Sequence, residues 1–308
     1  MPQRKPIRIG TRGSRLALTQ AGIVRDLLAA QGHDSEVVIV KTSGDRIQDR
    51  PLADAGGKGL FTKELEEALF AAEADIAVHS MKDVPTHLPD GLMLGAFLPR
   101  EDPRDVLIAT QPLTLASLPA GAVIGTSSVR RRAQLLRARH DVEAVTLRGN
   151  VDTRLSKVES GAFVAAILAL AGLKRLGLQD RATTILDPST WLPSPAQGAI
   201  GIELRSDDAT TREAIAKLNH EPTAIALACE RAFLGALDGS CRTPIAALAT
   251  IDGDVLNFRG EVLAPDGSDS VQTSFERKLG RDPLNDAARW GREAGSLLHP
   301  RAAQWLDI

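Results

Sequence analysis

The sequence predicts an α/β protein with two similar lobes facing one cleft and a small α+β domain at the C-terminus. Three observations carry this expectation. Short apolar segments alternate with amphipathic helical ones from Ile7 to Leu204, as in strand–helix units on a largely parallel sheet. A polar strand-to-helix junction occurs twice, as Thr11-Arg12-Gly13-Ser14 and as Thr126-Ser127-Ser128. Beyond Pro244 the alternation gives way to strands separated by tight turns. At 308 residues the chain is also long for a single core.

The elements follow in order. Ile7–Gly10 reads as a strand, and Ser14 can cap a helix running to about Gln31 and stopped by Gly32. Val37–Lys41 is the next strand, then a helix over Phe61–Ala72 and strands at Asp75–His79 and Leu92–Leu98. The alternation resumes with strands at Val106–Thr110 and Val123–Gly125 and a helix from Ser128. Ala144–Leu147, a helix over Asp152–Glu159 and a strand at Phe163–Leu170 follow. The apolar run Gly161–Leu173 is too short to cross a bilayer and reads as a buried strand running into a turn. After the Pro-rich stretch DPSTWLPSP come a strand at Gly198–Leu204 and helices over Asp208–Asn219 and Thr223–Leu237. Ile245–Ile251, Val255–Leu263 and Val271–Leu279 are joined by Asp252-Gly253 and Asp266-Gly267, a hairpin signature. A last helix covers Leu284–Leu298.

Composition excludes several classes. Hydrophobic residues at 43% and charged residues at 25% are ordinary for a folded globular chain. The net charge, 37 − 39 = −2, is no polycation that coats nucleic acid, and 3% aromatics with no Tyr give no base-stacking platform. Two cysteines, Cys229 and Cys241, are too few for a disulfide scaffold. The start MPQRKPIRIG has no apolar signal core, so the expectation is a cytoplasmic protein with no membrane and no nucleic-acid partner.

Of the 37 basic residues 28 are Arg, and seven of these fall between Arg130 and Arg154 against three acids. Thr126, Ser127 and Ser128 open a helix whose first turn carries Arg130 and Arg131, so hydroxyls, orphan amides and the positive dipole end converge. Basic residues there oppose the dipole, and an anionic ligand gives them a reason. Arg148-Gly149-Asn150 repeats the theme, with Arg154 one turn into the next helix. Guanidinium forks suit carboxylates or phosphates. Each arginine alone fits a surface salt bridge equally well, while the cluster fits an anion site better.

In ADIAVHSMKDVP a buried strand ends in Ser80-Met81-Lys82-Asp83, at the sheet edge where open α/β folds bind ligands. Asp83 beside Lys82 suits general acid/base work or cation stabilisation, and a plain surface ion pair equally. His79 and His87 match no metal spacing. In DGSCRTP, Cys241 sits on a turn beside Arg242, where a nearby cation favours the thiolate; an ordinary turn cysteine is the alternative. Cys229, among small apolar helix residues, reads as core. Thr42–Gly59 is long, polar and Gly-rich, either a functional loop or a solvated excursion. Its Gly56-Gly57-Lys58-Gly59 is no phosphate-binding loop.

The segments TRGSRLAL, GGKGLFTKELE, ADIAVHSMKDVP, REDPRD, GTSSVRRRAQL, LRGNVDTRL, AGLKRLG, PAQGAIGIE and GSCRTPI together resemble the porphobilinogen deaminase (hydroxymethylbilane synthase) family over essentially the whole chain. The resemblance implies an enzyme that joins four porphobilinogen molecules head to tail, releasing ammonia, to give linear hydroxymethylbilane. It implies a dipyrromethane cofactor held as a thioether, here on Cys241, with Asp83 as catalytic carboxylate assisted by Lys82 and Arg12. Ser80, Lys82, Asp83, Thr126, Ser127, Ser128, Arg130 and Arg131 would hold the cofactor. Arg12, Ser14, Arg148, Arg154, Arg175, Gln197 and Lys58 would bind substrate carboxylates. No metal is implied. Lys58 would ride on a mobile lid at 42–59, with Phe61 just beyond it.

The implied fold is two periplasmic-binding-protein-like α/β domains around a cleft plus a small α+β domain. Their boundaries would be 1–98 with 199–217, then 99–198, then 218–308, in a monomer. Two positions depart from the family's pattern. Ser240 stands where Gly usually precedes the cysteine, and Asp54 where many relatives carry Lys. A non-catalytic anion-binding module and an RNA-binding protein are the rival readings; the Cys241 turn speaks against the first, the few aromatics against the second.

Overall fold

The computed structural model describes residues 5–46, 59–239 and 243–306. In chain order it holds β1 (Ile7–Arg12), α1 (Arg15–Ala30), β2 (Ser35–Val40), α2 (Ser43–Arg46), α3 (Lys63–Phe70), β3 (Ile76–Ser80) and a 3₁₀ turn, Met81–Asp83. Next come β4 (Leu92–Phe97), β5 (Asp105–Ala109), β6 (Val123–Gly125), α4 (Val129–Ala138), β7 (Glu143–Val145), α5 (Val151–Glu159), β8 (Ala165–Ala169) and α6 (Leu170–Arg175). The remainder is β9 (Thr184–Ile185), β10 (Ile200–Arg205), α7 (Ala209–Ala216), α8 (Glu221–Ala236), β11 (Ile245–Asp252), β12 (Val255–Leu263), β13 (Ser270–Lys278) and α9 (Pro283–Leu306). The chain divides into two compact units, residues 1–101 with 199–224, and 102–198 with 225–308.

The first unit is built on one five-stranded sheet ordered β2-β1-β3-β10-β4. β1 lies parallel to β2 and β3, with Ile9 opposite Ile76, whereas β10 runs antiparallel to both β3 and β4. The expected largely parallel sheet is therefore mixed. Apolar side chains cover both faces: Ile9, Val24, Leu28, Val78 and Ile202 on one, Leu65, Leu69, Ala77 and Leu92 on the other. Ser14 caps α1 by accepting from the Ala17 amide at 3.3 Å. Gly32, at φ +80°, ends that helix in a left-handed turn that a side chain would strain.

The second unit contains a sheet of the same plan, β7-β6-β8-β5-β9, again with an antiparallel strand in fourth place. The apolar run after Gly161 is shorter as a strand than expected, because Leu170–Arg175 turns into α6 with Leu170 and Leu173 buried. The rest of this unit is the three-stranded meander β11-β12-β13 packed against α8 and α9 around Phe233, Phe258, Trp290 and Leu298. α9 continues eight residues beyond the expected end at Leu298, through Pro300. Leu298, Ala302 and Trp305 are all buried. That apolar stripe outweighs the one backbone bond a proline deletes.

Candidate active site

Parallel neighbours end at the same edge of a sheet, so the polar turns after β1 and β3 are adjacent in the first unit. The turn after β3 is shaped by Met81. Its side chain is buried and its amide donates to Ala199 O at 3.0 Å, while Val84 N closes the turn on Met81 O. A Cβ at residue 201 would fall 2.1 Å from the Met81 sulfur, so Gly201 of β10 makes the space for it. With Met81 pinned inward, Lys82 and Asp83 are left half-buried at the edge. Ser80 exchanges hydrogen bonds with the Gln20 amide of α1 at 2.9 and 3.1 Å, which ties the end of β3 to α1. The Arg12 guanidinium lies 4.0 Å from the centre of the Phe61 ring, a cation–π contact. Ser14 is half-buried beside it, already engaged as the cap of α1.

One residue back along β3, His79 pairs with Glu203 of the neighbouring β10 at 2.8 Å, both buried, which accounts for that histidine without a metal. Burial pushes the nearby Glu66 carboxyl above its ordinary range.

The second unit repeats the strand–turn–helix junction with different consequences. Thr126 Oγ1 accepts from Ser128 N at 3.2 Å, and Ser128 caps α4 by accepting from Arg131 N at 3.4 Å. Ser127 Oγ donates to Leu147 O at 2.5 Å and joins this turn to the one before α5. Arg130 and Arg131, expected at an anion site, are buried at 3% and 6% exposure.

Their partner is Asp105. Because β5 runs antiparallel to β8, Asp105 is aligned with Ala169 and so lies at the edge where α4 begins. Its carboxylate accepts from Arg131 Nη2 at 2.7 Å and ion-pairs with Arg130 Nη1 at 2.8 Å. It also accepts from Gln197 Nε2 at 2.7 Å and Trp191 Nε1 at 2.9 Å. Burial alone would raise its pKa; the two guanidinium charges and their hydrogen bonds reverse this and hold it far below the carboxylate range. An anionic ligand is the reason expected from the sequence for basic residues in the first turn of α4; the fold supplies an internal carboxylate to them as well. Asp105 is the last residue of the segment REDPRD. The signal was available: an acid opening the otherwise apolar strand Asp-Val-Leu-Ile-Ala.

The other arginines divide by function. Arg148, Arg154 and Arg175 stay half-buried at the same edge; Arg154 Nε donates to Gly149 O at 2.9 Å and Arg175 Nη2 to Gly198 O at 2.6 Å. Arg137 pairs with Glu261 of β12, and Arg139 with Asp141 and three carbonyls, so both hold structure. Gln197 is buried with Asp105 rather than presented for a ligand. Burial pushes the thiol of Cys229 up, in line with its reading as core. Lys58 and Asp54, and Ser240, Cys241 and Arg242, lie outside the described residues. Among the described residues no helix is long and apolar enough to cross a membrane.

Comparisons with known proteins bear on these edges. The model of the porphobilinogen deaminase dipyrromethane-cofactor-binding domain matches residues 7–213, and that of the porphobilinogen deaminase C-terminal domain matches 224–299. A porphobilinogen deaminase of Paracoccus denitrificans is 51% identical over 307 residues, covering 98% of this chain and 96% of its own. One of Nitrobacter hamburgensis is 52% identical over 300 residues, covering 96% and 93%. Among solved structures, a periplasmic substrate-binding protein of an ABC transporter from Coxiella burnetii aligns at 14% identity with a TM-score of 0.43, over 70% of this chain and 93% of that one.

Proposed function

The chain belongs to the porphobilinogen deaminase family, and on that premise we propose how its own residues carry out the head-to-tail condensation of four porphobilinogen molecules into hydroxymethylbilane. The observation that carries the proposal is the turn pinned by Met81, which leaves Lys82 and Asp83 half-buried at the polar sheet edge. Asp83 accepts hydrogen bonds from pyrrole N–H groups and stabilises the positive charge that develops on the incoming ring as its C–N bond breaks and ammonia leaves. It then takes up the proton displaced when the new C–C bond forms. Lys82 and Arg12 hold the substrate's acetate and propionate beside it, and Phe61 fixes the direction of Arg12.

The dipyrromethane fits the residues present. The Nε–H groups of Arg130 and Arg131 are buried with no acceptor among the described residues, and an incoming carboxylate supplies one at the positive end of α4. Thr126, Ser127 and Ser128, and likewise Ser80, Lys82 and Asp83, are proposed to contribute to holding the dipyrromethane. Anchored on Cys241, the bound group supplies the free pyrrole position from which the chain grows. Ser14, Arg148, Arg154, Arg175 and Lys58 are proposed to receive the carboxylates of successive rings, and Gln197 to act from beneath. The division 1–98 with 199–217, 99–198 and 218–308, and a cytoplasmic monomer, belong to the same proposal.

Intact mass of the purified protein, beside a Cys241→Ala control, tests the anchoring. The parent is expected to exceed its polypeptide mass by two linked pyrrole units, and the control to lack them. A parent that shows only the bare mass and gains nothing on incubation with porphobilinogen would overturn the proposal. Asp83→Ala separates catalysis from binding: a binding module would keep its anion affinity and have no turnover to lose.

A further inference from the structure

A carboxylate with no exposed surface, touched by two arginines, a glutamine and a tryptophan, is an unusual object to keep in a core. Apolar side chains of similar volume commonly fill such a space as well or better, so stability alone is a weak reason for Asp105. Its geometry suggests another. Asp105 Oδ1 accepts from Arg131 Nη2 and Gln197 Nε2, both at 2.7 Å, while Oδ2 faces Arg130 Nη1 at 2.8 Å and Trp191 Nε1 at 2.9 Å. One carboxylate therefore fixes two guanidinium groups that would otherwise repel each other, and leaves the pair one net positive charge.

The remaining guanidinium contacts complete the lock. Arg130 Nη1 donates to Leu192 O at 2.9 Å and to Gln134 at 2.8 Å, and Arg131 Nη1 donates to Ile167 O at 3.0 Å. Gln197 also accepts from Arg131 Nη2 at 3.3 Å and donates to Pro103 O at 2.7 Å. Gln197 is itself held from outside the sheet. The preceding residue, Ala196, has φ +60° and donates its amide to the buried Glu230 carboxylate of α8 at 2.5 Å; the other oxygen of Glu230 accepts from Ala249 N of β11 at 2.6 Å. Every nitrogen that faces Asp105 is thereby spoken for, whereas the two Nε–H groups have no acceptor among the described residues.

We propose that Asp105 is the positioning residue of the primer site: touching neither primer nor substrate, it pre-sets Arg130 and Arg131 to receive the primer's carboxylates. The proposal rests on the assignment of those two arginines to the primer. Ordering two long side chains before the ligand arrives removes that cost from binding. A bare arginine pair would be disordered by its own repulsion and would bind slowly.

The test uses the full-length chain and reads the fraction carrying the two-pyrrole mass on Cys241, measured on the folded fraction after gel filtration, with circular dichroism as the fold control. Asp105→Asn keeps the shape, removes the charge and turns one acceptor into a donor. Uptake of the primer mass from added porphobilinogen should slow ~10- to 100-fold, as when the outer partner of a ligand-holding side chain is removed, with Asp105→Glu recovering part of it. Parent-like uptake by folded Asp105→Asn overturns the proposal. If Asp105→Asn does not fold, Gln197→Leu decides: slowed uptake by a folded protein supports the relay, and parent-like uptake overturns it. Arg131→Leu tells apart the two levels of failure. Should it load normally, the assignment of the arginine to the primer fails; should it fail to load while Asp105→Asn loads normally, only the positioning role fails.

Discussion

At the polar edge of the first unit, Arg12, Lys82 and Asp83 are half-buried; buried Met81 pins the turn that carries Lys82 and Asp83, and the Phe61 ring lies against Arg12. At the corresponding edge of the second unit, Arg130 and Arg131 are buried and held by a charge, Asp105. Both edges follow one plan, a polar turn after a strand and a serine cap on the next helix. The difference shows that the environment of a charged side chain decides its work more than its type does. A half-exposed carboxylate on a rigid turn can change its partners during a reaction. A guanidinium locked by a buried carboxylate keeps its direction and its charge.

Substitutions at the two edges should therefore fail in different ways. The largest effect is expected for Asp83→Ala, with turnover lowered by as much as ~10⁴-fold, the upper range for a general acid or base. Its thermal midpoint should stay near the parent's, since little packing is lost. Arg131→Leu should behave in the opposite sense, because it leaves Asp105 short of a partner inside the protein. Asp105 keeps Arg130 as its counter-charge, and a buried acceptor that loses one hydrogen-bond partner costs about 1–3 kcal/mol, so denaturant unfolding should show a clear loss of stability whether or not porphobilinogen is present. If Asp83→Ala destabilised the protein as much as Arg131→Leu does, the contrast between the edges would be wrong.

The alternation of strands and helices, the serine caps and the polar turns were legible because each is local. Ser14 and Ser128 could be named as helix starts, and the adjacency of Arg12 and Lys82 follows once β1 and β3 are parallel neighbours. What could not be read is what depends on strand direction. An apolar run is the same whether it enters the sheet parallel or antiparallel, so the reversed β5 and β10 were invisible. The burial of Arg131 went with them, since its carboxylate lies 26 residues away and reaches it only because β5 is reversed. Likewise, α9 continues beyond Pro300 for a tertiary reason, the burial of Ala302 and Trp305, which a local rule about proline overlooks. Cys241 and Lys58, named from the resemblance, fall outside the described residues.

The carboxylates beneath the two edges also differ in sign with pH. Burial raises the pKa of Glu66 in the first unit, so its ionised form disfavours the fold at neutral pH. Its contribution is favourable below the unfolded value of about 4.3 and is lost as pH rises through the higher folded value. The pKa of Asp105 is displaced the other way, so its contribution is present above about 3.9 and is lost only as pH falls towards the folded value. Glu66→Gln should stabilise the protein at pH 7, and the gain should vanish near pH 4. Urea unfolding at both pH values checks this, and equal gains at the two would contradict the assigned direction.

The smallest effects concern the two caps. Ser14 and Ser128 hold α1 and α4 through similar contacts of 3.3 and 3.4 Å, so replacing either with alanine should cost about 1 kcal/mol. Aspartate is as good a cap as serine, and its charge suits the positive end of a helix. Both aspartate variants should therefore unfold within about 0.5 kcal/mol of the parent, as substitutions that keep the local contacts do. Their effects on function should differ. At position 128 the new charge stands on the helix that carries Arg130 and Arg131, where it competes with a primer carboxylate; at position 14 it stands beside Arg12, where it competes with substrate. Ser128→Asp should slow the appearance of the primer mass, whereas Ser14→Asp should load normally and raise the KM for porphobilinogen. The caps are alike as structure, so a shared functional defect would mean that the two edges do not divide the work between primer and substrate.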